Sequence, residues 1–598
     1  MRPCLLCCLF LLCSLVLMNA QFTQMDLGIP VFQYGFIAPG DYDNDGDLDL
    51  FILGNSTLYQ ATLYRNDGNW QFTPSGIAFP AFSRGCAAWG DFDRDGWLDL
   101  AVSGAVSPVA YAANFKLYRN LQGQDFEELP FVLPGIQRSH HSWVDYDNDG
   151  DWDLVFQGAV WSMDGTDIQT GVVRNLGASQ FEVASLNVTP IFNGELRSAD
   201  YNRDGELDLA SSGWYELPDH NFGYTTRVYR NQGDGSWVNV LSPGLVGGSG
   251  MDWFDCDNDG DLDLVFCGLN SSNQQSTRIM LNNGGGGFTL SPATLPGVWM
   301  GDLACADYDN DGDSDIFLCG RDSSSHSLAV LMRNEGDGIF IPSNDDFTTV
   351  KESQVCWADL DNDGDLDLAY LGEESLPPVI GDRIRFYRND TNAYNWPPAC
   401  PDVSYSPDTG FTFTPSADDT TPPHCLSYEL RIGTTPGGGE ILMPQSHPAT
   451  GYRRIPESGR SSFARHRLEP GTYYVSSQAI DAGFRGSAWS PEITLQVGVA
   501  ADDPLAPSAS LQLRASPNPF RDRSCISFQI VKTAPTTLRI YDLRGRKVAT
   551  LLSETLPPGA HEVFWPGSEL RASLGSGIYL ARLTSGTDTQ TRRLFLTR

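Results

Sequence analysis

The sequence predicts an all-β chain: a seven-bladed β-propeller followed by two β-sandwich domains. Three observations carry this. The loop D-x-[DN]-x-D-G-x-x-D begins at Asp41, Asp91, Asp145, Asp200, Asp255, Asp307 and Asp359, at intervals of 50, 54, 55, 55, 52 and 52 residues. Between the loops lie short apolar or alternating runs with no useful helical periodicity. After Asn389 the composition shifts, and two further strand-rich regions follow.

Four short strands in a unit of about fifty residues is the arithmetic of a propeller blade. In the first unit Phe51-Ile52-Leu53 and Thr62-Leu63-Tyr64 read as strands, Asp67-Gly68 as a hairpin turn, and Trp70 to Thr73 as the next strand. Trp89, Trp143, Trp253 and Trp357 each stand two residues before a loop. A glycine follows thirteen residues after each first Asp: Gly54, Gly104, Gly158, Gly213, Gly268, Gly320 and Gly372. An Arg-Asn or Asn-Asn pair comes next, as in Arg65-Asn66 and, in the fifth unit, Asn282-Asn283. The seventh unit lacks a last Phe-Thr strand, whereas Gln21-Phe22-Thr23 matches Gln71-Phe72-Thr73. The N-terminal strand is therefore expected to complete the last blade and close the ring, which removes exposed sheet edges.

Charge narrows the function. The 598 residues hold 75 Asp+Glu against 39 Lys+Arg, a net −36, and 33 of the acidic residues lie inside the seven loops. Such a balance argues against nucleic acid and against an anionic membrane surface. Carboxylates at positions 1, 3 and 5 converge on one point, and Gly at position 6 permits the sharp turn. Position 9 supplies a closing Asp. The expected ligands are Asp41, Asp43, Asp45 and Asp49; Asp91, Asp93, Asp95 and Asp99; Asp145, Asp147, Asp149 and Asp153; Asp200, Asn202, Asp204 and Asp208; Asp255, Asp257, Asp259 and Asp263; Asp307, Asp309, Asp311 and Asp315; and Asp359, Asp361, Asp363 and Asp367. Hard oxygen donors in this number suit Ca²⁺, about seven ions in a structural role, whereas zinc would need His or Cys. An EF-hand fails, because position 12 is never a carboxylate (Ile52, Val102, Phe156 in the first three loops) and the flanks are strands.

With these motifs, residues 21–390 resemble the FG-GAP/VCBS repeats of integrin α-like propellers. The resemblance implies a Ca²⁺ ion tying a hairpin loop within each blade. It places the ligand face opposite the metal loops, at the start of each inner strand, with Tyr34, Arg84, Arg138, Glu195, Trp299 and Lys351 as candidates. A protein or glycan ligand at the cell surface and a monomeric binding or adhesion module follow. The alternative is a polysaccharide lyase or hydrolase on a propeller scaffold. It lacks a nucleophile elbow or a His-rich metal site, and His140-His141, adjacent on a strand, face opposite ways.

Residues 1–20 read as a signal peptide, with Arg2, the apolar run Leu5 to Leu17 and a cleavage point after Ala20. No transmembrane segment is expected in the mature chain. Residues 396–498 resemble a fibronectin type III domain, through Leu468-Glu469-Pro470-Gly471-Thr472-Tyr473-Tyr474, a tyrosine-corner pattern, and Ser487 to Pro491. In a chain of three domains this one reads as a spacer. Residues 499–513 form a linker. Residues 514–598, from Ser516-Pro517-Asn518-Pro519-Phe520 through Gly577-Ile578-Tyr579-Leu580 to Leu594-Phe595-Leu596, resemble the type A C-terminal sorting domain of the type IX secretion system. That resemblance implies the secretion machinery as a partner and a secreted or outer-membrane-surface location on a Gram-negative cell. The cysteines of the repeats read as small buried residues, and Cys400 with Cys425 is the one candidate disulfide.

Overall fold

The computed structural model describes residues 21–497 and 513–596 apart from short internal segments, the longest being 244–249, 375–380, 517–523 and 566–576. The expected signal peptide lies outside the described residues. No helix occurs among those described. The chain forms two compact units, divided after Val499.

In the first unit, residues 22–389 make seven four-stranded antiparallel sheets among the described residues. Their inner strands are Gln33–Gly40, Ser83–Gly90, Gln137–Val144, Leu196–Ala199, Met251–Phe254, Trp299–Ala306 and Lys351–Ala358. Each inner strand neighbours the next, and the last neighbours the first, so the ring closes as a β-propeller. Phe22–Met25 pairs with Gly381–Asn389, Phe22 opposite Asn389, and so supplies the outer strand of the last sheet, as its sequence anticipates. The second strand of each blade is sandwiched between neighbouring blades. Both its faces are therefore apolar: Leu50, Phe51, Ile52 and Leu53 are all fully buried.

The repeated landmarks are joints between blades. Indole N–H groups of Trp89, Trp143 and Trp357 donate to Ala38, Ala88 and Ala304 carbonyls of the preceding inner strand, at 3.1–3.2 Å. The repeat asparagine does more. Asn66 Nδ2 donates to Leu48 O in its own loop and to Leu360 O in the preceding blade, at 3.1 and 2.9 Å. Asn120, Asn175, Asn231, Asn282, Asn334 and Asn389 reach back in the same way, to the carbonyls of Tyr42, Phe92, Tyr146, Tyr201, Cys256 and Tyr308. In the fifth blade the clamp is Asn282. The pair Asn282-Asn283 is thus one residue out of step with Arg65-Asn66, and the residue before the clamp there is Leu281.

Residues 402–497 belong to the same unit. They form a two-stranded sheet (Asp402–Ser406, Gly410–Thr414) and a three-stranded sheet (Ser427–Gly433, Gly471–Ile480, Ile493–Val497) around one core containing Phe411, Leu430, Ile432 and Val475. Tyr473 Oη donates to Glu469 O at 2.9 Å, closing the tyrosine corner. The disulfide expected of Cys400 and Cys425 is not formed. Both are free thiols with separate partners, the Ala488 carbonyl at 3.2 Å for Cys400 and the Asp255 carboxylate for Cys425.

The second unit, within residues 513–596, packs a three-stranded and a four-stranded sheet about a core with fully buried Trp565, Leu538 and Leu583.

Candidate functional site

Two regions at opposite ends of the propeller axis carry the candidate chemistry. The first is the set of acidic loops. Position 1 is buried in most blades, and its outer oxygen accepts the position-6 glycine N–H: Gly96 to Asp91 Oδ2 at 3.0 Å, Gly364 to Asp359 Oδ2 at 3.1 Å. Position 4 turns left-handed in every loop (Asn44, Arg94, Asn148, Arg203, Asn258, Asn310 and Asn362). From there Asn44, Asn148 and Asn258 donate to the position-6 carbonyl of the following loop. Asn362 does the same to Gly46 and so closes the circle. The position-9 Asp is a knot as well as a candidate ligand: Asp49 accepts backbone N–H groups from Asn66 and Tyr42 at 2.8 and 3.1 Å. Cys256, at position 2, is buried in the core and takes no part in the ligand set.

These residues fit a hard cation. Carboxylate oxygens of Asp41, Asp43 and Asp45, of Asp91, Asp93 and Asp99, and of Asp145, Asp147 and Asp153 lie within 4.8 Å of one another. Oδ1 of Asp43, Asp145, Asp309, Asp359 and Asp361 is buried without a hydrogen-bond partner. Burial and neighbouring carboxylates push Asp41 up to about 7 and Asp359 up to about 7. Burial, outweighing its backbone hydrogen bonds, pushes Asp49 up to about 9. Unpaired buried carboxylate oxygens converging on one point are a demand for positive charge, which a divalent ion with oxygen preference meets.

The loop face is covered by the second domain. Residues 441–461 and 482–485 run across it. Asp41 N donates to Arg454 O at 3.0 Å, and Asp307 N to Ala482 O at 3.2 Å. The fully buried Arg454 sends Nη1 to Gly96 O at 2.7 Å and Nη2 to Asp91 Oδ2 at 3.8 Å. Arg460 meets Asp145 Oδ2 at 3.4 Å and Asn148 Oδ1 at 2.9 Å, and Ser461 Oγ donates to Asp200 O at 2.8 Å. Cys425 hydrogen-bonds Asp255, and Arg485 lies 3.9 Å from Asp359 Oδ2. The domain expected as a spacer is therefore a cap, and it touches the first Asp of all seven loops.

The second region is the opposite mouth of the axis. Among the described residues, six of the inner strands bulge there. Seven residues before the loop stands a left-handed residue: Tyr34 (φ 46°), Arg84 (53°), Arg138 (49°), Asn193 (54°), Met300 (50°) and Glu352 (50°). The fifth-blade equivalent falls outside the described residues. The repeated glycines are needed opposite this bulge. A Cβ on Gly54, Gly104 or Gly213 would come within 3.0 Å of the segment that enters the inner strand. Arg84 stacks its guanidinium 3.8 Å from the centre of the Tyr34 ring, and Arg138 feels its charge. Tyr34, Arg84 and Arg138 thus stand where the resemblance placed them.

The other three candidates fall out of register with the bulge, although Trp299 and Lys351 are the first residues of their inner strands. Trp299 and Lys351 precede the bulge by one residue. Trp299 packs against the fifth-blade core and Lys351 pairs with Glu373 at 3.0 Å, so Met300 and Glu352 take the mouth position. Glu195 lies two residues deeper, because it is five and not seven residues before its loop. It sits with His140 Nε2 at 2.9 Å and Arg197 Nη2 at 3.3 Å. Burial raises its carboxyl, but His140 and Arg197 outweigh burial and hold it at about 2. Asp252 and Asp302 complete this axial group by accepting N–H from Cys305 and Val355 of the next blades, at 3.0 and 2.9 Å. Sequence reasoning missed it. The available signal was charged or His side chains three and five positions before a loop, where the other blades have Ala, Cys, Phe, Gly, Ser or Gln. His141 faces away, buried in the core against Phe115.

Residues 41–102, 200–266, 255–318 and 307–370 match the FG-GAP-like repeat, and residues 515–597 match the secretion system C-terminal sorting domain. Among curated proteins none matches. Similar solved structures include the six-bladed β-propeller fucose lectin of Aleuria aurantia (10% identity, 53% of this chain, 96% of that one, TM-score 0.32). A mutant of AofleA from Arthrobotrys oligospora also matches (11%, 54% and 90%, 0.31). So does an exo-β-1,3-galactanase from Phanerochaete chrysosporium (8%, 85% and 95%, 0.24). None of these likenesses bears on function. The chain carries FG-GAP-like repeats within a β-propeller and a C-terminal sorting domain of the type IX secretion system.

Proposed function

We infer that this exported FG-GAP-repeat propeller is a calcium-loaded binding module, and that its ligand face is the axial mouth opposite the metal loops. One observation carries the reading. Non-glycine residues hold the left-handed conformation at the mouth in six blades, where glycine would sit without strain. Three of them, Tyr34, Arg84 and Arg138, form an aromatic and doubly basic corner on a chain of net charge −36. Tyr and Arg are the residue types that dominate binding hot spots. The two guanidiniums suit a carboxylate or sulfate on a protein or glycan ligand. Calcium in the loops holds the blades that position this rim, and the fibronectin type III-like domain occupies the other face. On this reading the protein works outside the cell, as an adhesion or capture module and not as a catalyst.

The test is an array of acidic and neutral glycans and peptides probed with the full chain in millimolar Ca²⁺. Product release is assayed in parallel. Binding that is lost in Arg84→Ala and Arg138→Ala supports the reading. Binding unaffected by either, or turnover of a polysaccharide, overturns it.

A further inference from the structure

The cap and the metal loops share atoms. Each arginine of the second domain that reaches a first Asp approaches its outer oxygen, Oδ2. Arg454 does so at Asp91, Arg460 at Asp145 and Arg485 at Asp359. That is the oxygen already turned to the glycine N–H in loops 2 and 7. The other oxygens, Asp145 Oδ1 and Asp359 Oδ1, remain buried and without hydrogen-bond partners, and Asp145 lies in one cluster with Asp147 and Asp153. The arginines therefore stand behind the ligands and not in place of an ion. Partners in this outer position orient first ligands and tune the metal.

The fit also depends on the loop backbone. The position-6 glycines Gly150, Gly260 and Gly312 are doubly constrained, by positive φ and by the cap. A Cβ on Gly150 would lie 2.1 Å from Ile441 O, and one on Gly312 would lie 2.4 Å from Thr420 O. Ile455 reaches past the loops into the shared core of blades 1 and 2. Without an ion, four or five like charges per loop repel one another, and the three cap arginines, with propeller arginines such as Arg174 at Asp147 and Arg333 at Asp309, are too few to neutralise them. Loops that relax outward would shift the Asp41 and Asp307 amides and the glycine turns on which the cap rests.

We propose that docking of the 402–497 domain and calcium occupancy of the propeller loops are one linked equilibrium, with Arg454, Arg460 and Arg485 as its coupling residues. Calcium shapes the surface that the cap recognises, and the cap holds the first Asp of each loop in its ligating position. Linkage makes the effect reciprocal: whatever factor docking adds to calcium affinity, calcium adds to docking. The proposal rests on the calcium reading of the loops.

The experiment uses the full chain. Calcium uptake is measured by titration for the wild type, for Arg460→Gln and for Arg454→Gln/Arg460→Gln. Docking is read by hydrogen exchange at the Asp41 and Asp307 amides and by small-angle scattering, with and without EDTA. The expected result is at least tenfold faster exchange at both amides in EDTA, while the strand around Phe51 stays protected. The double variant should bind calcium about tenfold more weakly, and the single variant a few-fold. Should EDTA also open the Phe51 strand, the variants decide, because they are measured in calcium. Should the double variant fail to fold, Arg460→Gln decides, since its ion pair and hydrogen bond to the propeller both lie in the third loop. Unchanged calcium affinity in a variant whose cap has come away overturns the linkage, as do amides that stay protected in EDTA. No calcium uptake by the wild type overturns the calcium reading itself, and the linkage with it.

Discussion

At both ends of the propeller axis the backbone turns left-handed, but with different residues. On the metal face the turning positions are Asn44, Asn148, Asn258, Asn310 and Asn362, with Arg only in loops 2 and 4. Asn tolerates this conformation, and the side chain is used at once to clasp the next loop. At the mouth the same strain falls on Tyr34, Arg84, Arg138, Asn193, Met300 and Glu352, mostly residues ill suited to it. The metal face is built for stability and sealed by a second domain. The mouth retains strained side chains where glycine would be more stable. On the binding reading proposed above, residues kept against stability mark the ligand rim.

The largest expected effect breaks the metal face. Stripping calcium should lower the melting temperature by about 10 °C or more, because an ion bound at 100 times its Kd adds about 2.7 kcal/mol per site. Equal melting in EDTA and in millimolar Ca²⁺ would contradict the assignment. Next comes the inter-blade clamp. Asn120→Ala removes donors to Tyr42 O and Leu98 O and the acceptor for Gly123 N, leaving buried groups unpaired. A loss of about 2–4 kcal/mol in chemical denaturation is expected.

The third is pH. Burial, helped by neighbouring carboxylates, raises Asp41 and Asp359 to about 7. Burial, against backbone hydrogen bonds, raises Asp49 to about 9 and Asp153 and Asp208 to about 8, all from 3.8. Between about 4 and 9 the metal-free folded state holds more protons than the unfolded chain. Its stability is therefore full at low pH and is lost as pH rises through that window. Calcium displaces those protons, so its stabilisation should be greater at pH 8 than at pH 5 in parallel thermal melts. A pH-independent calcium effect would argue against the carboxylate centres.

The smallest effect sharpens the mouth. Glu352→Gly relieves a left-handed residue and should stabilise the fold by roughly 0.5–1 kcal/mol while impairing binding. A destabilised variant would mean that Glu352 is held for packing.

Much of the repeat region was legible because spacing alone forces it. Seven loops at near-constant intervals fix seven units, and Gln21-Phe22-Thr23 showed how the ring closes. The acidic clusters were legible because the D-x-D-x-D-G pattern acts within a few residues. The misses all involve distances the sequence does not encode. Asn282 shifts by one because its role is set by the Tyr201 carbonyl of the neighbouring blade. Glu195 differs from Glu352 by two residues relative to the loop, enough to move a side chain from the mouth to the axis.

What the sequence determined was the periodic, local content: strands, turns, the acidic loops, the sorting tail. Only the tertiary structure decided that residues 402–497 close the metal face. Arg454 lies 363 positions from Asp91, and its guanidinium can report that partner only once the ring and the cap are both folded. Periodic patterns record contacts that recur within a repeat; a single contact between two different domains leaves no period to read.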